Sequence, residues 1–365
     1  MATGKLTWMT CVAWAMNAAP LLLPAPAAAA AEDWGPIEVA GRSIAPGAAL
    51  RFPMIPDPSY EASYLNIPIM VARGRERGPT LCLTAGIHGD ELNGVEVARR
   101  AFIGTAPASL SGTLIALPIL NADGFRNGSR YLPDRRDLNR FWPGSSGGSV
   151  ASIIANAVFT RVIELCDALI DLHTASFHRS NQPQIRVDVR HEASLALARH
   201  FADTTIVAGS GPKGSLRRET VDAGIPAIIY EAGEPMRFQL EKITPGVAGI
   251  YNVMRYLGMT AGEASVTPSN RVILSSSWAR VPRGKGGFFF PEAHLGERVE
   301  KGQSLGQVID PFTDAVTPIL AHRSGEIIGS AVAQPVLSGY ALFHIGVSGT
   351  SLDVGASERD DDEPL

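Results

Sequence analysis

Residues 84–94 read TAGIHGDELNG. A short apolar run at 81–83 leads into this stretch, which places a histidine (His88) and then, three positions on, a glutamate (Glu91) among glycines. The run reads as a buried strand meeting a turn. The residues beyond it, LNGVEVARRAFI (92–103), space Leu92, Val95, Val97 and Phe102 over a helical face. The polar residues at the junction admit two readings: a solvated loop with a helix start, or half of a metal site. The segment alone does not choose between them.

Outward from this stretch, strand-like and helix-like segments alternate between about residues 38 and 265. LNIPIMVAR, GTLIALPIL, DALIDLH and IPAIIYE read as strands, and VASIIANAVFTRVIELC and ASLALARHFA as helices. Strands separated by helices argue for an α/β layer structure with a largely parallel sheet. The pattern changes near Val266, beyond which short β-like runs and frequent glycines replace helical periodicity. A weak repeat, Val299-x-x-Gly302-x-x-Leu305 and Val336-x-x-Gly339-x-x-Leu342, suggests two strand–turn–strand units of a small β barrel or sandwich. The expected organisation is a signal peptide at 1–31, a catalytic domain at 32–265, a β domain at 266–350 and an acidic, disordered tail at 351–365.

The signal-peptide reading rests on Lys5, the uncharged apolar stretch after it and the run of small residues ending near Ala31. Pro20, Pro24 and Pro26 interrupt that stretch and argue against a spanning helix. The expectation is export to the periplasm or medium, with no stable membrane span after cleavage. A net charge of −4 gives no reason to expect nucleic-acid binding. Export makes a disulfide permissible, but Cys82 and Cys166 sit in apolar runs and read as plain buried thiols.

In α/β proteins, ligands for a site come from the ends of strands, where loops bring distant residues together. His88 and Glu91 follow one strand, and His173 in DLHT (171–174) ends another. Two histidines and a glutamate with an open position form the ligand set of a hydrolytic zinc site, which binds and activates water. A third strand end offers the proton shuttle that such a site needs, Glu231 in IIYEAGEP; Glu234 lies three residues further into the loop. Between the ligand segments, NADGFRNGSRYLPDRRDLNRFWPG is dense in arginine, the residue that grips carboxylates and stabilises oxyanions.

GIHGDE, NADGFRNGSRYLP, RDLNRFWPG, DLHT and YEAGE occur in order, and over residues 63–258 the chain resembles the succinylglutamate desuccinylase/aspartoacylase family. The resemblance implies a zinc-carboxypeptidase-like mixed sheet flanked by helices, one zinc ion per chain and hydrolysis of an N-acyl amino acid. It implies that His88, Glu91 and His173 hold the metal, Glu231 is the general base, and Asn139 and Arg140 hold the substrate carboxylate. Asp137 would orient the His88 ring, and Arg130 would stabilise the oxyanion, with Arg135 and Arg136 nearby. Arg217 or Arg218 would also reach substrate.

The remaining histidines divide by position. His178 is placed to line the pocket, with Phe177, Arg179 and Gln182 on the same expected loop as candidates for selecting the acyl group. His191, His200, His294, His322 and His344 read as surface or locally bonded residues. The C-terminal segment resembles a lipoyl/biotinyl-type barrel, but its hairpin tip DPFTDAV (310–316) has no lysine to carry a prosthetic group. Its expected role is to shape the active site or mediate assembly, leaving a homo-oligomer open. Two rivals share these residues: a periplasmic metallocarboxypeptidase acting on short peptides, and an exported binding protein on an inactive scaffold.

Overall fold

The computed structural model describes residues 34–56, 66–201, 204–262 and 271–349, besides Met1. Residues 2–31 of the expected signal peptide and the acidic tail 351–365 lie outside the described residues. The strands are β1 (Ile37–Val39), β2 (Arg42–Ile44), β3 (Ala49–Met54), β4 (Ile67–Arg73), β5 (Glu76–Ala85), β6 (Ser111–Leu117), β7 (Ala168–His173), β8 (Arg179–Val187), β9 (Thr205–Ala208) and β10 (Ala227–Gly233). The C-terminal segment adds β11 (Val272–Arg280), β12 (Gly287–Pro291), β13 (Arg298–Val299), β14 (Ser304–Ile309), β15 (Val316–Leu320), β16 (Gly325–Ala331), β17 (Gln334–Val336) and β18 (Ala341–Ser348). The helices are α1 (Leu92–Ile103), α2 (Ala122–Asn127), α3 (Val150–Arg161), α4 (Glu192–Phe201), α5 (Leu216–Asp222) and α6 (Leu240–Tyr256).

The fold is a mixed α/β structure with a C-terminal β segment. Its centre is the parallel set β6-β5-β7-β10, flanked on each side by antiparallel partners, β4 beside β6 and β8 beside β10. Helices cover both faces, which is why these strands read as unbroken apolar runs. Successive side chains point to opposite faces. Leu81 and Leu83 of β5, with Ile170 and Leu172 of β7, join Val97, Phe102, Phe201, Ile250 and Val253 from α1, α4 and α6. Cys82 and Leu169 face the other way, against Ile154, Val158 and Phe159 of α3 and Leu216 of α5. The helix expected over 150–166 stops at Arg161, and a turn of 3₁₀ helix, Ile163–Leu165, follows.

Two expectations are corrected. Cys82 and Cys166 are not plain thiols: they form a disulfide that closes a loop across 84 positions and joins β5 to the approach of β7. Residues 179–187 are not a loop but strand β8, whose pairing with β10 on one side and β9 on the other overrides its polar, proline-containing sequence.

The C-terminal strands divide between two sheets. β12, β14, β15 and β17 form a sheet of their own, whereas β11 pairs with β9 and β18, β18 with β16, and β16 returns to the start of β8. The pairings β8–β9–β11–β18–β16–β8 thus close on themselves. Both repeat units are strand–turn–strand elements, β13 to β14 and β17 to β18, with Gly302 and Gly339 in the left-handed region at φ +89° and +84°. Val299, Leu305, Val336 and Leu342 from the two units share one core. No helix among the described residues is long and apolar enough to cross a membrane.

The bridge is testable. Alkylation under denaturing, non-reducing conditions should leave both Cys82 and Cys166 unlabelled. The double change to alanine should lower stability by about 2–5 kcal/mol, the usual cost of losing a native disulfide, read as a drop in the midpoint of thermal or denaturant unfolding.

Candidate metal centre and active site

β5 and β7 run parallel in register, with Thr84 opposite Asp171 and Ala85 opposite Leu172, so their carboxyl ends finish together. β10 continues the alignment on the far side of β7, with Glu231 opposite His173. The turn after β5 packs tightly: a Cβ on Gly89 would lie 1.9 Å from the backbone carbon of Gly124, so only glycine fits there. Glu91 occupies the position before α1, but its side chain makes no bond to the helix start. That decides between the two readings of the opening stretch, because the carboxylate is committed elsewhere.

Its partners are the two imidazoles. Glu91 Oε1 lies 2.6 Å from His88 Nδ1 and Glu91 Oε2 lies 2.9 Å from His173 Nδ1. The backbone N–H of Thr174 donates to Oε2, and the Ser176 hydroxyl donates to Oε1 at 2.6 Å. The outer ring nitrogens are held by carboxylates, His88 Nε2 by Asp137 at 3.1 Å and His173 Nε2 by Asp171 at 2.9 Å. Asp171 in turn accepts from the Thr84 hydroxyl at 2.7 Å. All three residues of the cluster are buried, and one donor atom from each lies within 4.8 Å of the others.

The electrostatics favour positive charge at this point. Burial works against ionising Glu91, but His88 and His173 outweigh it and hold the carboxyl well below its ordinary range. Burial likewise opposes a charged His173, and Asp171 and Glu91 overcome it and raise its pKa well above the usual value. Two imidazoles oriented by carboxylates, converging with a third carboxylate in a buried position, suit a divalent cation, with the outer carboxylates fixing ring orientation as metal-binding histidines require. Zinc fits this mixed nitrogen and oxygen donor set.

Arg130 is drawn into the same network. It donates to Asp137 Oδ2 through Nη2 at 2.8 Å and to Ser176 Oγ through Nη1 at 2.7 Å. Arg135 and Arg136 stand apart from it; Arg136 pairs with Asp134 at the surface. Asp137 also accepts from the backbone N–H of Asn139, starting the 3₁₀ turn Leu138–Arg140. Asn139 Oδ1 accepts from the backbone N–H of Leu216 at 2.8 Å, which ties this turn to the start of α5. Glu231 is held at two points, by Asn181 Nδ2 at 2.9 Å and in an ion pair with Arg186 Nε at 2.6 Å.

These groups line one cavity of about 270 Å³, into which His88, Glu91, His173, Arg130, Asn139, Arg140 and Glu231 all project. Asp137 supports it from behind. Arg217 lines it and donates to the Gly209 carbonyl, whereas Arg218 pairs with Asp222 outside. Phe177 and Arg179 line it as expected; Gln182 and His178 do not. His178 is exposed, and its carbonyl accepts from the backbone N–H of Val332. His191 and His200 are locally bonded, to Ser194 and to the Ala196 carbonyl. His344, expected as a surface or locally bonded residue, is buried at the cavity wall, its ring stacked on Trp278 at 4.5 Å.

Sequence reading missed Asp171, Ser176, Asn181, Arg186 and the wall from β11 and β18. Asp171 had a signal, since residues two apart on a strand share a face and DLH places it beside the His173 ring. Ser176, in the turn after His173, had none, and Asn181, Arg186 and the wall from β11 and β18 arrive through strand pairing.

A buried His-x-x-Glu and histidine cluster at the carboxyl edge of a mixed sheet, beside an arginine-lined cavity, is an arrangement that suits a metal-assisted hydrolase. Residues 77–257 match the sequence model of the succinylglutamate desuccinylase/aspartoacylase catalytic domain, and the chain belongs to that family. It is 28% identical over 289 residues to the N-alpha-acetyl-L-2,4-diaminobutyric acid deacetylase of Halomonas elongata, covering 76% of this chain and 84% of that one. Among solved structures, a succinylglutamate desuccinylase/aspartoacylase from Rhodobacter sphaeroides superposes with a TM-score of 0.70 at 25% identity, covering 78% of this chain and 90% of that one. The product-bound ectoine utilization protein EutE of Ruegeria pomeroyi shares the fold, with a TM-score of 0.72 at 24% identity, covering 82% and 95% of the two chains.

The role of the outer carboxylates is checked by Asp171→Asn. If the cluster holds a divalent ion, this change should weaken that binding about 10- to 100-fold, measured with added zinc as the probe by competition with a chromogenic chelator, while the fold stays intact by circular dichroism.

Proposed function

We propose that the protein is a zinc-dependent amidohydrolase that releases a carboxylic acid and a free amine from an N-acyl amino acid. The observation that carries this reading is the convergence of His88, Glu91 and His173, with Glu231 opposite His173 in the neighbouring strand. The family and the deacetylase relative support the reaction class. His88, Glu91 and His173 would hold the metal, which when bound supplies a Lewis acid for the carbonyl and lowers the pKa of water.

The chain's own residues then divide the work. Asn139 and Arg140 bind the free carboxylate of the amino acid and fix where the amide lies. Arg130, rigid between Asp137 and Ser176, donates to the carbonyl oxygen as negative charge develops there. Glu231 accepts a proton from the attacking water and delivers it to the leaving nitrogen. Asn181 and Arg186 aim the Glu231 carboxylate. Trp278, Tyr340 and His344 form part of the cavity wall. We further propose that the C-terminal segment is a lipoyl/biotinyl-like barrel serving as this wall, and that the catalytic sheet is arranged as in the zinc carboxypeptidases.

We place the protein outside the cytoplasm. The apolar stretch before Ala31 supports export, and the Cys82–Cys166 disulfide suits an oxidising compartment.

The test is amine release from N-acetyl, N-succinyl and longer N-acyl amino acids beside short peptides, with and without chelator. Chelator-sensitive release from an acyl amino acid is expected. Release confined to peptides would make the protein a carboxypeptidase, and ligand binding without turnover would make it a binding protein. Glu231→Gln should lower kcat by at least about 100-fold with little change in ligand affinity; retained activity would remove Glu231 from the proton path.

A further inference from the structure

The pairings from β11 to β10 set one row of residues across five strands. Trp278 on β11 stands opposite His344 on β18, and His344 opposite Gly329 on β16. Gly329 stands opposite Asn181 on β8, and Asn181 opposite Gly233 on β10. The row is unequal. At one end the Trp278 and His344 rings stack at 4.5 Å. Towards the other, Asn181 is buried and its Nδ2 donates to Glu231 Oε1 at 2.9 Å. Between the two, Gly329 contributes no side chain.

Glycine weakens a strand interior, and it commonly marks a place where other groups approach closely. Backbone shape does not require it here, because Gly329 does not have a positive φ. Space does. A Cβ at this position would lie 2.7 Å from Asn181 Oδ1, 3.2 Å from His344 Cβ and 3.5 Å from Trp278 Cη2. The first distance is too short for any Cβ, the second is tight and the third is ordinary contact. His344 Cβ is fixed to its own strand, and its ring is stacked on Trp278. The group with freedom to yield is therefore the Asn181 amide, which turns about its side-chain bonds.

Moving that amide would reach the proposed base. Glu231 is held by Asn181 Nδ2 and by Arg186 Nε, the latter in an ion pair at 2.6 Å. With Asn181 displaced, the carboxylate would follow the stronger, charged contact. β16 brings no group to the reaction at this point and acts through the room it leaves.

Resting on the proposed deacylase reading, we infer that Gly329 is a positioning residue for the general base: its missing side chain leaves the space in which the Asn181 amide holds Glu231. The C-terminal segment thus does more than line the cavity. It also sets where the proton-carrying carboxylate points.

The experiment is a double-mutant cycle with zinc supplied. Gly329→Ala should lower kcat about 10- to 100-fold, the cost of misplacing a reacting group by about 1 Å, with KM nearly unchanged. Asn181→Ala should lower kcat to a similar extent. Adding Gly329→Ala to it should cost nothing further, because the crowded amide is gone. Effects that multiply, or wild-type kcat in Gly329→Ala, would overturn the assignment. If Gly329→Ala alone failed to fold, the double variant would still have to match Asn181→Ala. A second readout needs no turnover: nuclear magnetic resonance of protein carrying isotope-labelled asparagine. The side-chain amide signal that Asn181→Ala abolishes should move in Glu231→Gln and in Gly329→Ala. A signal that Gly329→Ala leaves in place would overturn the coupling. No turnover in the unmutated protein, with that signal moving, would overturn the deacylase reading and leave the coupling standing.

Discussion

The site depends on one buried carboxylate. Glu91 lies between two imidazoles, and burial alone would drive it to take up a proton. It stays ionised because His88 and His173 face it, and because Thr174 and Ser176 donate to it. The partners come from two segments, His88 from the turn after β5 and residues 173–176 from the end of β7, so the arrangement exists only when β5 and β7 are in register. A slip of one residue would turn His173 to the opposite face of the sheet and take from the buried Glu91 one of its two imidazoles. The register of the parallel core and the chemistry of the site are therefore one constraint.

From that point outward the site grows in layers. Asp137 and Asp171 hold the outer nitrogens of the rings, and Thr84 holds Asp171. Arg130 then bridges Asp137 and Ser176, so its guanidinium is positioned by residues that also hold His88 and Glu91. On the other side of β7, Glu231 takes its place from the ladder with β10 and its orientation from Asn181 and Arg186 on β8. A side chain held by two partners loses little freedom when substrate binds.

What the sequence disclosed follows the range of the interactions. The parallel strands were legible because burial on both faces writes an unbroken apolar run, and each run ends at a polar residue of the site, as His88, His173 and Glu231 show. The helix at 92–103 was legible from its spacing. Strand β8 was not: RSNQPQIRV has neither alternation nor an apolar run, and it is a strand only because β10, β9 and β16 pair with it. Asn181 and Arg186 were hidden with it. The disulfide was hidden for the same reason, since nothing local brings Cys82 near Cys166. His344 looked like one more histidine in a β-rich tail and lies at the cavity wall, because β18 is joined to β8 through β16 and to β9 through β11.

The closed circuit of β8, β9, β11, β18 and β16 sets an order in time. Its strands span residues 179 to 348, so the ring cannot close until nearly the whole chain has been synthesised. A nascent chain stopped at α6 already holds His88, Glu91, His173 and Glu231, but lacks Trp278, Tyr340 and His344, and so lacks that part of the cavity lining. The buried His–Glu–His cluster comes from the early part of the chain, and the cavity lining from β11 and β18 is added last. The final strand thus acts as a completion check, joining the finishing of the cavity to the finishing of the fold.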